Sequence, residues 1–296
     1  MTALTSADLA RVNNEPLYGT ANSARIWFLL EYNGVYTRKV WDDARIPDEV
    51  KAKLDAYPDS HKLLIRQPEQ VNAHDRITSF FVVDARTHTP VSYSLELSSY
   101  TDLLDIDLDA VLAGTVVAPS TDPLYVICTN GKRDICCAKY GIALYNAMVL
   151  RGGQQVWQSS HIGGHRFAGT LYCFPDAICY GYLDADDAEA VIYSYEHNRI
   201  LLDKLRGHGI YDKPIQVAEY FLLRALENNR LNAVHYLSHE FNTEEQIWTV
   251  NFDDTESETT YQVRIGIGKP LQVIATTGDE TFKEVPQYKF IDYQAR

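Results

Sequence analysis

The stretch DPLYVICTNGKRDICCAKYGIALYNAMVLRGG, residues 122–153, decides the architecture. Its first part, DPLYVICT, is a strand with Pro123 at its edge. Asp134 then stands as N-cap before a helical run that continues to Gly152–Gly153, glycines suited to the end of a helix. Downstream, QQVWQSS reads as a strand, and FAGTLYCFP and AICYGYL as a hairpin turning at Pro175–Asp176. DADDAEAVIYSYEHNRILLDKL reads as a closing helix with acids in its first turn, where the helix dipole favours them. The order is β-α-β-β-β-α.

The same order precedes it. ARIWFLLEY reads as a buried strand, PDEVKAKLDAYP as a helix stopped by Pro58, and HKLLIRQ as a strand. RITSFFVVDARTHTPVSYSLEL reads as two strands turning at Thr87–Pro90, and YTDLLDIDLDAVLAG as a helix ending at Gly114. The expectation is an α/β protein of two thioredoxin-like halves. A duplication explains the recurrence; chance recurrence of a common order is the alternative. The expected divisions are a thioredoxin-like half without cysteines over 20–118, a cysteine-bearing thioredoxin-like domain over 119–209 and a C-terminal helix and β extension over 210–296. In that last part PIQVAEYFLLRALENNRLNAVHYLS suggests a helix or helix pair, and QIWTVNF and TYQVRIGIG a strand pair.

The 296 residues carry a formal net charge of -13, with 46% hydrophobic and 23% charged residues. That balance suits a globular protein and argues against nucleic acid as a partner, which needs a basic footprint. No N-terminal apolar segment marks secretion, and no apolar run is long enough to span a membrane. Five cysteines, two of them adjacent, fit a disulfide framework poorly and suit thiols in the cytoplasm.

Three of those cysteines, Cys128, Cys136 and Cys137, fall within ten residues. Cys128 closes a strand and Cys137 lies in the first turn of the next helix, where free N–H groups favour a thiolate. Lys132 and Arg133 add positive charge. Adjacent helical side chains diverge by about 100°, so one of Cys136 and Cys137 can share the direction of Cys128. In SSHIGGHRFAG, His161 and His165 are four apart around Gly163–Gly164. The glycines argue for a surface loop whose amides approach a ligand closely, rather than a helix. Two thiols and two imidazoles suit zinc, although zinc cysteines usually stand two to four residues apart. They also suit a 2Fe–2S core with Rieske-type ligands. Ordinary buried thiols and polar histidines are the third reading, and spacing alone leaves all three open.

CTNGKRDICCAKYG, SSHIGGHRFAGTLYCFPDAICYGYL and the upstream YGTANSARIWFLLEY resemble the sucrase/ferredoxin-like family, which includes thioredoxin-like 2Fe–2S proteins. The shared features are C-x8-C, a basic–Asp pair before the second cysteine, and H-x3-H followed by a basic residue, Phe and Ala. The resemblance implies a 2Fe–2S cluster held by Cys128, Cys137, His161 and His165, with all-cysteine relatives placing C-x3-C where the histidines stand. It further implies an electron carrier with a protein redox partner, a reductase or an acceptor, rather than a hydrolase; no carboxylate pair stands in a glycosidase context. Two neutral imidazoles leave the oxidised core uncharged, so its potential should exceed the ~-400 mV of plant-type ferredoxins. Arg166 and Lys132 should raise it further, and an imidazole gaining a proton on reduction would couple the potential to pH. A zinc module without electron transfer is the alternative. Two departures stand out: Cys136 offers a C-x7-C alternative, and VIATTGDETFKEV lacks the family's C-terminal cysteine–glycine pair, which casts doubt on a role for that tail. Cys173 and Cys179 are expected in the core, Trp27 and Trp41 in packing, and His197, His208, His235 and His239 outside any site.

Overall fold

The structure is a computed structural model that describes residues 4–68 and 78–296. A short helix α1 (Ser6–Val12) opens the chain, capped by reciprocal bonds between Thr5 and Asp8. The first half contains β1 (Ile26–Glu31), α2 (Val40–Asp43), α3 (Asp48–Asp55), β2 (Ser60–Arg66), β3 (Thr78–Asp84), β4 (Val91–Leu97) and α4 (Leu108–Leu112). The second contains β5 (Leu124–Cys128), α5 (Ile135–Gly152), β6 (Val156–Ser159), β7 (Leu171–Phe174), β8 (Ile178–Tyr180), α6 (Ala188–Glu196) and β9 (Leu205–His208). Of the strand expected from Arg76, residues 76 and 77 lie outside the described residues.

All these strands form one nine-stranded sheet in the order β4-β3-β1-β2-β6-β5-β7-β8-β9. Within each half the first strand pairs parallel with the second and antiparallel with the third, which pairs antiparallel with the fourth. This is the thioredoxin-like connectivity expected from the sequence, present twice. The halves meet where β2 and β6 pair antiparallel through Ile65↔Ser159 and Arg66↔Gln158. Each of those residues lies at the C-terminal end of its strand. Since β1 runs parallel to β2 and β5 to β6, the loops leaving β1 and β5 emerge at this same junction.

Three expectations at element level are corrected. The expected closing helix of the second half stops at Glu196; a short 3-10 turn follows, and Leu205–His208 joins the sheet edge as β9. Asn198 at positive φ breaks the run. The helix expected over YTDLLDIDLDAVLAG is a 3-10 turn followed by α4, because a Ser99–Asp102 capping box and Asp107 each cap a separate start. Of the helix or helix pair expected over PIQVAEYFLLRALENNRLNAVHYLS, a single helix forms, α7 (Lys213–Ala225), and the end of the stretch is not helical but enters a strand, β10 (Val234–Asn242). With β11 (Ile247–Asp254), β12 (Thr260–Ile267) and β15 (Tyr288–Ala295), β10 builds a four-stranded antiparallel sheet; β13 (Leu271–Ile274) and β14 (Phe282–Val285) form a separate hairpin.

The central strands are buried on both faces, so they read as apolar runs rather than alternating patterns. On one face of the second half, Tyr125, Ile127 and Leu171 pack with Leu144 and Met148 of α5, and this core continues through Val217 and Leu222 of α7 to Val250 and Val263. On the other face, Val126, Cys128 and Tyr172 share a core with Trp27, Leu29, Leu63 and Ile65 of the first half. Each large side chain removed from water in this way contributes on the order of 1.5–3 kcal/mol.

Candidate metal centre

Cys128 is the last residue of β5, and Cys137 lies in the first turn of α5. Two local devices bring them together. Asp134 caps α5 by accepting from Cys136 N at 2.9 Å. Gly141, one turn beyond Cys137, lets the helix rest on the strand end, since a Cβ there would lie 2.0 Å from the Cys128 carbonyl oxygen. Both thiols are nearly sealed, at 3% and 2% exposure. His161, two residues past β6, places Nδ1 3.7 Å from each sulfur. The three ligand atoms all lie within 4.8 Å of one another.

The two thiols shift in opposite directions. The hydrogen bond from Cys137 holds Cys128 well below the ordinary thiol range, against burial that raises it, with His161 adding to the lowering. The same bond, with burial, pushes Cys137 up. These directions favour a thiolate at Cys128, and a cation arriving between the sulfurs would displace a thiol proton.

His165 stands outside the tight trio but beside it, its ring centroid 5.4 Å from that of His161. Its Nε2 is 2.6 Å from the Ala275 carbonyl oxygen, which fixes the proton on that nitrogen. Nδ1 is then a buried lone pair with no protein partner. Burial lowers its pKa below 6.5, with Asp134 working in the opposite direction, so the ring is neutral. A neutral imidazole with one nitrogen held by a carbonyl and the other free is the state a metal ligand needs.

Cys136 faces away. Its sulfur lies 3.4 Å from Ala7 N, 3.5 Å from Ser6 Oγ and 3.3 Å from Thr277 Oγ1, in a separate small cluster with Ala7 and Ala168. The C-x7-C alternative is therefore not assembled. Thr277 also donates its N–H and its hydroxyl to the two Asp134 carboxylate oxygens, each at 2.9 Å. The tail that lacks a cysteine–glycine pair thus has a structural part in the site, contrary to expectation: Ala275 and Thr277 strap His165 and Asp134. Nothing in its sequence marks this, because the contacts use a main-chain carbonyl and a common hydroxyl.

The histidine loop also differs from a free surface loop. Ser160 N donates to Leu64 O at 2.7 Å, Ser160 Oγ accepts from Leu64 N at 3.0 Å, and Ile162 is buried. The loop bridges the two halves. Gly163 and Gly164 have φ of 99° and 67°, and the space a Cβ would need is filled by Asn22 and Arg206 respectively. Arg166, expected to add positive charge, is neutralised by a bidentate pair with Glu15 at 2.7–3.1 Å. The buried cation beside the loop is instead Arg206, 1% exposed, which donates to Gly163 O and Thr20 and has no carboxylate partner among the described residues. Cys173, Cys179 and Trp27 are fully buried, as expected, while Trp41 is partly exposed against the first-half core. His208 pairs with Glu219 at 3.1 Å inside the core.

Registers give two of the candidate positions, Cys128 and His161, a counterpart in the first half. Cys128 pairs with Ser159 as Glu31 pairs with Ile65, and Ile65 faces Ser159. Glu31 therefore occupies the place of Cys128, and Gln67, two residues past Ile65, the place of His161. Both are buried and hydrogen-bonded to the first half or its neighbours.

Fold and site together define a doubled thioredoxin-like α/β protein with thiol and imidazole donors gathered in one half. The model of the family described as sucrase/ferredoxin-like matches residues 17–207, and the chain belongs to that family. A relative, altered inheritance of mitochondria protein 32 of Meyerozyma guilliermondii, is 28% identical over 99 residues, covering 30% of this chain and 35% of its own length. The chain thus matches about a third of that curated relative. No solved structure matches. No helix among the described residues is long and apolar enough to cross a membrane.

Proposed function

We propose that the chain is an electron-transfer protein in which Cys128, Cys137, His161 and His165 hold one 2Fe–2S cluster. The observation that carries this reading is the buried, unpartnered Nδ1 of His165 beside a Cys128–Cys137–His161 group. Four donors of two kinds converge from two loops, and the fourth stands back from the first three, as a body larger than one ion would need. Bound there, the cluster would supply a one-electron couple. The chain's own groups do the rest. The thiol pair gives up a thiol proton. Ala275 O holds the proton on His165 Nε2, leaving Nδ1 as the donor. Ile162, buried in one cluster with Cys128 and Cys137, helps keep water from the sulfurs. Asp134 and Thr277 fix the helix start on which Cys137 stands.

A specific observation favours the second reading, a zinc-binding module. Zinc bonds of about 2.0–2.3 Å put neighbouring tetrahedral ligands roughly 3.3–3.8 Å apart, close to the 3.7 Å between His161 Nδ1 and each sulfur. Anaerobic purification with metal and sulfide analysis separates the two. Brown protein with equal iron and acid-labile sulfide, two of each per chain, and an EPR signal on reduction supports the cluster. Colourless protein with one zinc overturns it.

A further inference from the structure

The half without ligands contributes a surface at the mouth of the site. The loop leaving β1, residues 32–39, and the loop leaving β5, residues 129–134, emerge at the junction of the halves and are tied by Asn130 Nδ2 donating to Thr37 O at 2.9 Å. Tyr36 anchors the first loop by donating to Leu64 O at 2.9 Å. Arg66 from β2 packs over the Tyr36 ring at 4.1 Å and donates to Gly34 O. The conformation is therefore built in, not a loose excursion.

These two loops carry Arg38, Lys39, Lys132 and Arg133. None has a carboxylate within 4.0 Å among the described residues, whereas Arg11, Lys62, Arg86, Lys139 and Arg166 elsewhere are each paired with one. Arg38, Lys39 and Lys132 are exposed, and Arg133 is half-buried facing His165. The nearest acids in sequence are Asp42 and Asp43 in α2 and Asp134 beside Arg133; Asp43 accepts from Thr37 Oγ1, Asp134 accepts from Cys136 N and from Thr277, and none of the three pairs with these cations among the described residues. Two apolar side chains stand beside them, Val35 on the first loop at 74% exposure and Ile135, the first residue of α5, at 59%. On a chain of net charge -13 this is a local inversion of sign at the site's entrance.

We propose that this rim is the docking surface for the redox partner of the site, and that the partner is a protein presenting an acidic patch. The proposal rests on the electron-transfer reading above. Unpaired cations around exposed apolar side chains steer an oppositely charged patch into place and leave a small dry contact at the centre. The chain's net negative charge repels an acidic partner at long range while the rim attracts it locally, which favours one orientation and place of encounter.

The test uses the full chain and a triple variant, Arg38→Glu, Lys39→Glu and Lys132→Glu, against a control, Lys269→Glu, Lys283→Glu and Lys289→Glu, which changes net charge equally. Arg133 is left in place because it faces His165. In stopped flow, the reduced protein gives one electron to hexacyanoferrate(III), forming hexacyanoferrate(II), or to hexaammineruthenium(III). With the rim intact, the anionic oxidant reacts faster at low salt than at high salt, despite the chain's negative charge. The rim variant loses about tenfold or more at low salt and reverses the salt dependence, whereas the control keeps the wild-type sign. A wild-type rate that rises with salt, or equal loss in rim and control variants, overturns the proposal. A second arm does not need a redox-active site: anisotropy of a labelled polyglutamate peptide. Wild type and control should bind, and the rim variant should bind at least tenfold more weakly. Absent or rim-independent peptide binding overturns the proposal even if the protein holds zinc, and redox-silent protein with rim-dependent binding overturns only the electron-transfer reading. Tighter, rim-dependent binding of a labelled oligonucleotide would move the partner to nucleic acid and also overturn it.

Discussion

Replacing Asp134 with alanine should destabilise the chain by about 3 kcal/mol. Its carboxylate caps α5 at Cys136 N and accepts the Thr277 N–H and hydroxyl. Loss of an N-cap costs ~1 kcal/mol. Hydrogen bonds to a charged acceptor are worth roughly 1.5–3 kcal/mol each, less than additively when they share one acceptor. Asparagine retains an acceptor for the cap and one Thr277 bond, so Asp134→Asn should cost only about half as much. The assay is guanidinium unfolding of the purified chain followed by tryptophan fluorescence. A double-mutant cycle with Thr277→Val should show a coupling of ~1 kcal/mol or more. Burial opposes the Asp134 charge, but the hydrogen bonds from Cys136 and Thr277 outweigh it and hold the carboxyl below 3.8. Its stabilisation is therefore present above the ordinary carboxylate range and lost as pH falls through the folded value. The gap between wild type and Asp134→Asn should narrow from about pH 6 to pH 3. A cost under ~0.5 kcal/mol for alanine, or additivity with Thr277→Val, would refute the account of the tail as a strap.

Cys128→Ala and Cys137→Ala should each abolish metal or cluster retention, while Cys136→Ala retains it, since only Cys136 points toward Ala7 and Thr277; metal analysis reads this, and loss in Cys136→Ala with retention in Cys137→Ala reverses the assignment. Replacing His161 or His165 with cysteine should keep the cluster and lower its potential, because another anionic thiolate stabilises the oxidised state; voltammetry showing no lowering in either variant counts against histidine ligation. Gly141→Ala should cost several kcal/mol, on the order of an overpacked core, and lower metal retention, because the new methyl meets main chain at Cys128; unchanged melting and metal content would contradict the packing. For His208, burial lowers the pKa but the Glu219 charge and hydrogen bond outweigh it, so the folded value is raised above 6.5. Its contribution is complete below about 6.5 and lost as pH rises through the folded value, so His208→Gln should destabilise more at pH 6 than at pH 9 in denaturant titrations.

The doubled architecture was legible because its signals are local. Asp134, Gly152–Gly153 and the apolar strands each state their own conformation, and α5 and the hairpin after it follow as expected. β9 was not, since LRGH has no alternation and its pairing with β8 is set by the distant edge of the sheet. α1 carries a cap and a short apolar stripe, but seven residues give too little pattern for a helix assignment. At the site, Cys128, Cys137 and His161 were marked by their position between elements. The direction of Cys136 followed from helix geometry, although choosing it over Cys137 needed the family pattern. Arg166 misled because its charge is visible in sequence while its partner Glu15 is 151 residues away. Arg206 and the Ala275–Thr277 strap were silent for the same reason: long-range contacts to main-chain atoms leave no residue signature.

The two-residue join between β2 and β6 has the form of a subunit contact. Ile65 faces Ser159, with Arg66–Gln158 on one side and the Leu64–Ser160 bond on the other. That is the self-complementary pattern of two like protomers about a two-fold axis, with Ile65 and Ser159 on the axis. A symmetric ancestor of this kind would have carried two sites side by side across its dyad, each walled by the other protomer. Joining the protomers in one polypeptide makes the wall and the site separately heritable. In such a history Glu31 and Gln67 would mark the copy without thiol and imidazole, kept in place as the permanent neighbour of the copy that carries them.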